Sequence, residues 1–216
     1  YDDYFSKINV SGIENVFDEQ IIHQDILNLI NESNIIDIAK SILQENELIL
    51  HLNRYHVTDQ ATHLGIWHRD TEHNSSESVQ INIYLFDEIG MEIVNNSHKR
   101  EDLPKETLVM RSKPYSSLEN TSHISAKAKN IIAFNPSLIH RGKTLKKRAH
   151  LHFRFTKKKA LPKLIDKSSS LSYLDTYKIE KNLKDLLIDS AKYGYLYNSK
   201  DYVRKKSFKE NFLRIF

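Results

Sequence analysis

The chain predicts an α+β fold with a mainly β core flanked by helices, and three observations carry that expectation. Apolar residues recur at helical spacing near the N-terminus, alternate strictly with polar residues in three later segments, and return to helical spacing in a basic C-terminal stretch. Residues 15 to 46 read as helices through Ile26, Leu27, Leu29 and Ile30, then Ile35, Ile36, Ile38, Ala39, Ile42 and Leu43. From Glu47 the period drops to two, with Leu48, Leu50 and Leu52 set against Ile49, His51, Asn53 and Tyr55. In Val79–Phe86, the residues Val79, Ile81, Ile83 and Leu85 oppose Gln80, Asn82, Tyr84 and Phe86. In Arg148–Phe155, the residues Ala149, Leu151, Phe153 and Phe155 oppose Arg148, His150, His152 and Arg154. One apolar and one polar face recur each time. Such a sheet rests its apolar face on helices, and in a barrel its polar face lines a wet cavity.

The long stretch from Lys99 to Lys129 reads as a functional or mobile connection, part of it a lid. After Thr156 the chain turns helical and basic. Tyr173 to Tyr193 carries an apolar stripe through Leu174, Tyr177, Ile179, Leu183, Leu186, Leu187 and Ile188, and residues 199 to 216 are expected to form a last amphipathic helix. The 216 residues suit one domain, with 1–46 as helical buttress, 47–156 as core and 157–216 as basic extension.

No run of 18 apolar residues occurs, so no membrane span is expected. The chain begins at Tyr1 and not at a methionine, which leaves a leader ahead of it open. Zero cysteines exclude disulfides, thiolate metal ligands and a Cys nucleophile, and they fit a reducing, cytoplasmic setting. The net charge of +4 conceals an asymmetry: residues 1–140 hold 11 Lys/Arg against 21 Asp/Glu, residues 141–216 hold 21 against 7. One reading is an anionic partner for the C-terminal part, whether nucleic acid, phosphorylated metabolite, glycan or lipid headgroup. The other is that the two halves neutralise each other in the fold. Lys157-Lys158-Lys159 and Arg204-Lys205-Lys206 are candidate phosphate contacts. Tyr193, Tyr195, Tyr197 and Tyr202 come near the interleaved aromatics of a nucleic-acid surface, although tyrosines at a helix interface explain them more simply.

His68-Arg69-Asp70 is the segment richest in chemistry. A strand sends residues i and i+2 to one face, so His68 and Asp70 can address one ion, and His140 from a distant strand closes the triangle. Two histidines and one carboxylate on one face of an octahedral metal leave open positions, the arrangement of non-haem Fe(II) oxygenases. His150 and His152 compete with His140 for the third place but lie beyond Arg148. About 0.7 His-x-Asp matches are expected by chance in a chain of this composition. The second copy, His23-Gln24-Asp25, precedes a helical run, where Asp25 reads as an N-terminal cap and not as a ligand. Trp67, of opposite parity to the ligands, is expected to pack behind the site.

With these residues in order, the chain resembles the phytanoyl-CoA dioxygenase family of Fe(II)/2-oxoglutarate oxygenases. The likeness spans roughly residues 47 to 156 and rests on four pieces: Gly65-Ile66-Trp67-His68-Arg69-Asp70-Thr71, Ile83-Tyr84-Leu85-Phe86, Gly90-Met91-Glu92-Ile93-Val94-Asn95-Asn96-Ser97-His98, and Ile131 through His140 to Phe155. The chain departs from the family in lacking the Gly-Pro often found near Gly90, and in a short spacing from His140 to Arg148. The resemblance implies a double-stranded β-helix, or jelly roll, with Fe(II) on His68, Asp70 and His140. It also implies 2-oxoglutarate chelated to the iron with its distal carboxylate on Arg148, Arg154 being the alternative. The expected reaction uses O2, releases succinate and CO2, and hydroxylates an unactivated C–H bond of a small or carrier-linked, anionic substrate. A carboxylate at position 70 argues against halogenation, since related halogenases carry a small residue there. Asn53, Tyr55, Asn82 and Tyr84 are candidate donors to the cosubstrate carboxylates. His150, His152 and Arg154 are candidate substrate contacts. Action on a macromolecule and a non-catalytic jelly-roll binding protein are the rival readings.

Overall fold

The computed structural model describes residues 12–13, 15–58, 65–113, 116–142 and 148–196, without the side chains of 12, 13, 56–58, 88–90 and 148. The expected helix over 199–216, with Arg204-Lys205-Lys206, Tyr197 and Tyr202, therefore lies outside the described residues. The architecture is α+β with antiparallel sheets. A five-stranded sheet has the order β1 (Gly12–Ile13), β2 (Leu48–Thr58), β8 (Arg148–Lys157), β3 (Ser78–Tyr84), β6 (Ile131–Phe134). A three-stranded sheet has β4 (Glu88–Val94) between β5 (Thr121–Ala126) and β7 (His140–Gly142). The chain divides into two compact units at residues 13/14, 53/54 and 154/155, the last two boundaries falling inside β2 and β8.

The unit built on residues 54–154 contains β3, which is buried along its whole length. Val79, Ile81 and Ile83 fill one face as the alternation predicts, yet Gln80, Asn82 and Tyr84 on the other face are equally withdrawn from water. β8 repeats the pattern: Ala149, Leu151 and Phe153 lie opposite the buried polar residues His150, His152 and Arg154. A solvated face is thus excluded for both strands. Met91, Ile93 and Ile124 from the three-stranded sheet pack with Ile132, Phe134 and Leu138, joining it to the β6 end of the larger sheet.

The unit of residues 14–53 and 155–216 contains α1 (Gln24–Glu32), α2 (Ile35–Leu43) and α4 (Lys181–Lys192). Asn34, in the left-handed region at φ 52°, reverses the chain between α1 and α2, a conformation asparagine adopts more readily than most residues. Ser190 inside α4 accepts from the Leu50 amide at 2.8 Å and donates to the Leu186 carbonyl at 2.7 Å. Described residues of this unit number ten Lys/Arg and twelve Asp/Glu. Among the described residues the basic extension meets acidic groups of its own unit, as Lys159–Glu45 at 3.2 Å illustrates.

Three local expectations need correction. His23, not Asp25, caps α1: its Nδ1 accepts from the Asp25 amide at 3.3 Å, and Asp25 falls in the first turn. Tyr173–Tyr193 is not one helix but a 3-10 stretch, Ser168–Thr176, followed by α4. Between them the Gln24 amide clamps Lys178, donating to its carbonyl at 2.8 Å and accepting from its N–H at 3.0 Å, so tertiary bonds override the helical period. Lys99–Lys129 is not a plain connection either. It holds α3 (Pro104–Ser112) and β5, with Glu106 taking the Leu103 amide at 2.7 Å and both ends of the Arg100 guanidinium. Among the described residues no helix is long and apolar enough to cross a membrane.

Candidate metal centre

His68, Asp70 and His140 converge. One nitrogen or oxygen from each lies within 4.8 Å of the others, and no further group of this kind exists among the described residues. The backbone brings them together: His68 and His140 form an antiparallel bridge with both N–H···O bonds at 3.0 Å, and the Asp70 amide donates to Pro136 O at 3.0 Å. The ring centroids of the two histidines stand 4.3 Å apart.

Each imidazole is oriented by its own chain. His68 Nδ1–H donates to Ile66 O and His140 Nδ1–H to Leu138 O, both at 2.8 Å. That fixes the tautomer and turns the Nε2 lone pair of each ring inward. Both Nε2 atoms lie 3.7 Å from Asp70, His68 from Oδ1 and His140 from Oδ2. Neighbouring ligands of an octahedral ion stand roughly 3 Å apart, so the triad is open by less than about 2 Å. Two neutral imidazoles and a carboxylate are a donor set for Fe(II), Mn(II) or a similar divalent ion. Burial, reinforced by the neighbouring His68, pushes His140 down to about 4, which keeps it in the neutral form a metal needs.

Behind the triad stands a buried polar chain. Arg154 Nη2 donates to Asp70 Oδ2 and to Gln80 Oε1, each at 2.6 Å, while Gln80 Nε2 lies 3.4 Å from His152 Nδ1. Burial disfavours the charged Arg154 guanidinium and Asp70 opposes that effect. His150 packs on Tyr84 at 5.5 Å and stacks with His152 at 6.3 Å between centroids. Asn82 is 3 % exposed and its Oδ1 has no hydrogen-bond partner among the described residues. Asn53 Oδ1 accepts the Val16 amide at 2.8 Å. Tyr55 is buried. The Arg148 side chain lies outside the described residues. His23 and Asp25 are exposed, with His23 Nδ1 3.4 Å from Asp25 Oδ2. Trp67 packs with Val94, Val109, Leu118 and Ile139, and its indole N–H donates to Ser116 O at 2.8 Å.

Two functional side chains escaped the sequence reading. Gln80 was recoverable, because it shares strand parity with Asn82 and Tyr84. Arg69 was not, since nothing in its spacing marks a charge that turns away from the ligands on either side. Its guanidinium donates to Asp102 Oδ1 at 2.6 Å, to Ser97 O at 2.9 Å, to Arg100 O at 3.2 Å and to Ser137 O, tying the His68–Asp70 segment to the chain leading into His140.

No protein-family model matches the chain, and no curated protein sequence is significantly similar to it. Solved structures do match its fold. HygX from Streptomyces hygroscopicus, with nickel and 2-oxoglutarate bound, superposes with a TM-score of 0.56 at 11% identity over 72% of this chain and 75% of HygX. The iron-bound form of HygX gives 0.55 at 12% identity over the same shares. AviO1 from Streptomyces viridochromogenes Tue57 gives 0.52 at 13% identity over 68% of this chain and 67% of AviO1. The chain therefore has the fold of these proteins, two of whose structures hold a metal ion.

Proposed function

We propose that the protein is an Fe(II)/2-oxoglutarate-dependent dioxygenase, built on a jelly roll, that hydroxylates an unactivated C–H bond of a small or carrier-linked anionic substrate. The observation that carries this reading is the meeting of His68 Nε2, Asp70 and His140 Nε2, with both Nδ1 atoms committed to backbone carbonyls. A ferrous ion there supplies, with 2-oxoglutarate and O2, the oxidation that yields succinate, CO2 and the hydroxylated product. His68 and His140 furnish neutral nitrogen donors, and Asp70 furnishes the one anionic ligand. Arg148, at the head of β8, is the anchor for the distal carboxylate of the cosubstrate, where its planar fork suits a bidentate pair. Asn82 and Tyr84 share the inward face of β3 and are donors to the same molecule. His150, His152 and Arg154 face inward from β8 and contact substrate. Their burial keeps the β8 side of the site dry.

The likeness to HygX, crystallised with nickel and 2-oxoglutarate, supports the pairing of metal and cosubstrate. The test is succinate release with Fe(II) and 2-oxoglutarate against a panel of anionic metabolites, glycans and oligonucleotides. We expect a metabolite or carrier-linked acid to stimulate release and Asp70→Ala to abolish it. Stimulation confined to oligonucleotides or glycans would favour macromolecular substrates, and release surviving Asp70→Ala would exclude this metal site.

A further inference from the structure

We propose that Arg154 is a positioning residue that restricts Asp70 to ligation through a single oxygen; this rests on the metal reading above. The Arg154 guanidinium is 9 % exposed and spends its Nη2 on Asp70 Oδ2 at 2.6 Å. The same Nη2 meets Gln80 Oε1 at 2.6 Å, and Nε meets that oxygen at 3.3 Å, so Gln80 fixes the fork from the opposite side. Gln80 is itself 3 % exposed and is steadied through Nε2 by His152 Nδ1 at 3.4 Å. His152, Gln80 and Arg154 are withdrawn from water and Asp70 is only partly exposed, a setting in which a charge-assisted bond is strong and a shift of partner is costly.

The consequence falls on the number of open metal positions. A carboxylate can bind a divalent ion through one oxygen or through both. Oδ2, 3.7 Å from His140 Nε2, already holds the short guanidinium bond, so a cation there would share the oxygen with a like charge at close range, whereas Oδ1, 3.7 Å from His68 Nε2, does not receive that bond. Ligation by Oδ1 alone, with the two imidazoles, leaves three of six positions, enough for a chelating cosubstrate and one further ligand. Chelation by both oxygens would leave only two. Arg154 and Gln80 therefore set how many ligands the centre can accept, in addition to any contact with substrate.

The number of metal-bound waters reads this directly. In the full chain loaded with Mn(II), without cosubstrate, broadening of the EPR lines by oxygen-17 water counts them. We expect three in the native protein and two in Arg154→Gln, with 2-oxoglutarate affinity for the Mn(II) protein lowered about tenfold or more. Gln80→Leu leaves every ligand and the guanidinium in place, and it carries the test if Arg154→Gln fails to fold; part of its population is expected at two waters. Three waters and native 2-oxoglutarate affinity in both variants would overturn the proposal. Three in Gln80→Leu with two in Arg154→Gln would support Arg154 and remove Gln80 from it. Failure of the native protein to take up Mn(II) would instead overturn the metal reading itself.

Discussion

The Ser97 hydroxyl accepts the backbone N–H of Ile139 at 2.8 Å and donates to Val94 O at 2.8 Å, one residue before His140. Ser97 is fully buried, so Ser97→Ala strands the Ile139 amide in a dry interior. A loss of about 1–3 kcal/mol is expected in urea denaturation. Because the stranded amide adjoins His140, metal affinity should fall as well.

Arg69→Met removes four hydrogen bonds and leaves Asp102 without its partner. Asp102 retains some access to water, which limits the cost to roughly 2–4 kcal/mol. Arg69→Lys should recover little of it, since an ammonium cannot reach three carbonyls and a carboxylate in one plane. Chemical denaturation of the two variants checks both statements.

His140 gives the metal-free protein a defined pH response. Burial and His68 hold its folded-state pKa at about 4, below the 6.5 of an exposed histidine. Between these values the unfolded chain binds the proton more readily, so stability falls as pH drops from about 6.5 towards 4. The loss approaches about 3 kcal/mol when the whole shift is expressed. Urea midpoints of the apoprotein at pH 4.5, 5.5 and 7 should show this slope, and His140→Gln should flatten it.

Arg148→Ala should raise the 2-oxoglutarate dissociation constant by about a hundredfold or more, with Mn(II) affinity unchanged. Calorimetric titration separates the two. Arg148→Lys should restore only part of the affinity, because one ammonium cannot present two parallel N–H bonds to the carboxylate. Unaltered cosubstrate binding in Arg148→Ala would transfer the anchor to another residue.

Strand period was the most legible property of the chain. The three alternating segments became β2, β3 and β8, whereas His68 and Asp70 meet at one point from an isolated bridge and a bend and not from the strand their spacing suggested. Period fails where a single tertiary bond decides the backbone. Gln24 holds both backbone polar groups of Lys178 and so divides a stretch whose apolar spacing looks continuous. It also fails to report burial on both faces: Gln80, Asn82, His150 and His152 read as a wet surface by composition, and only tertiary packing places them inside. Ser97 was visible as part of a family resemblance, but its purpose depends on Ile139, 42 residues away, which no local pattern encodes.

Trp67 is the chain's single tryptophan, and it is buried directly before His68 with the Arg141 guanidinium 4.4 Å over its ring. Its emission consequently comes from one fixed indole beside the candidate metal centre, with no second fluorophore of its type to dilute the signal. An open-shell ion such as Co(II) or Fe(II) quenches a nearby excited indole, whereas closed-shell Zn(II) does not. The molecule thus carries its own optical gauge of occupancy, readable in solution without label, substrate or turnover.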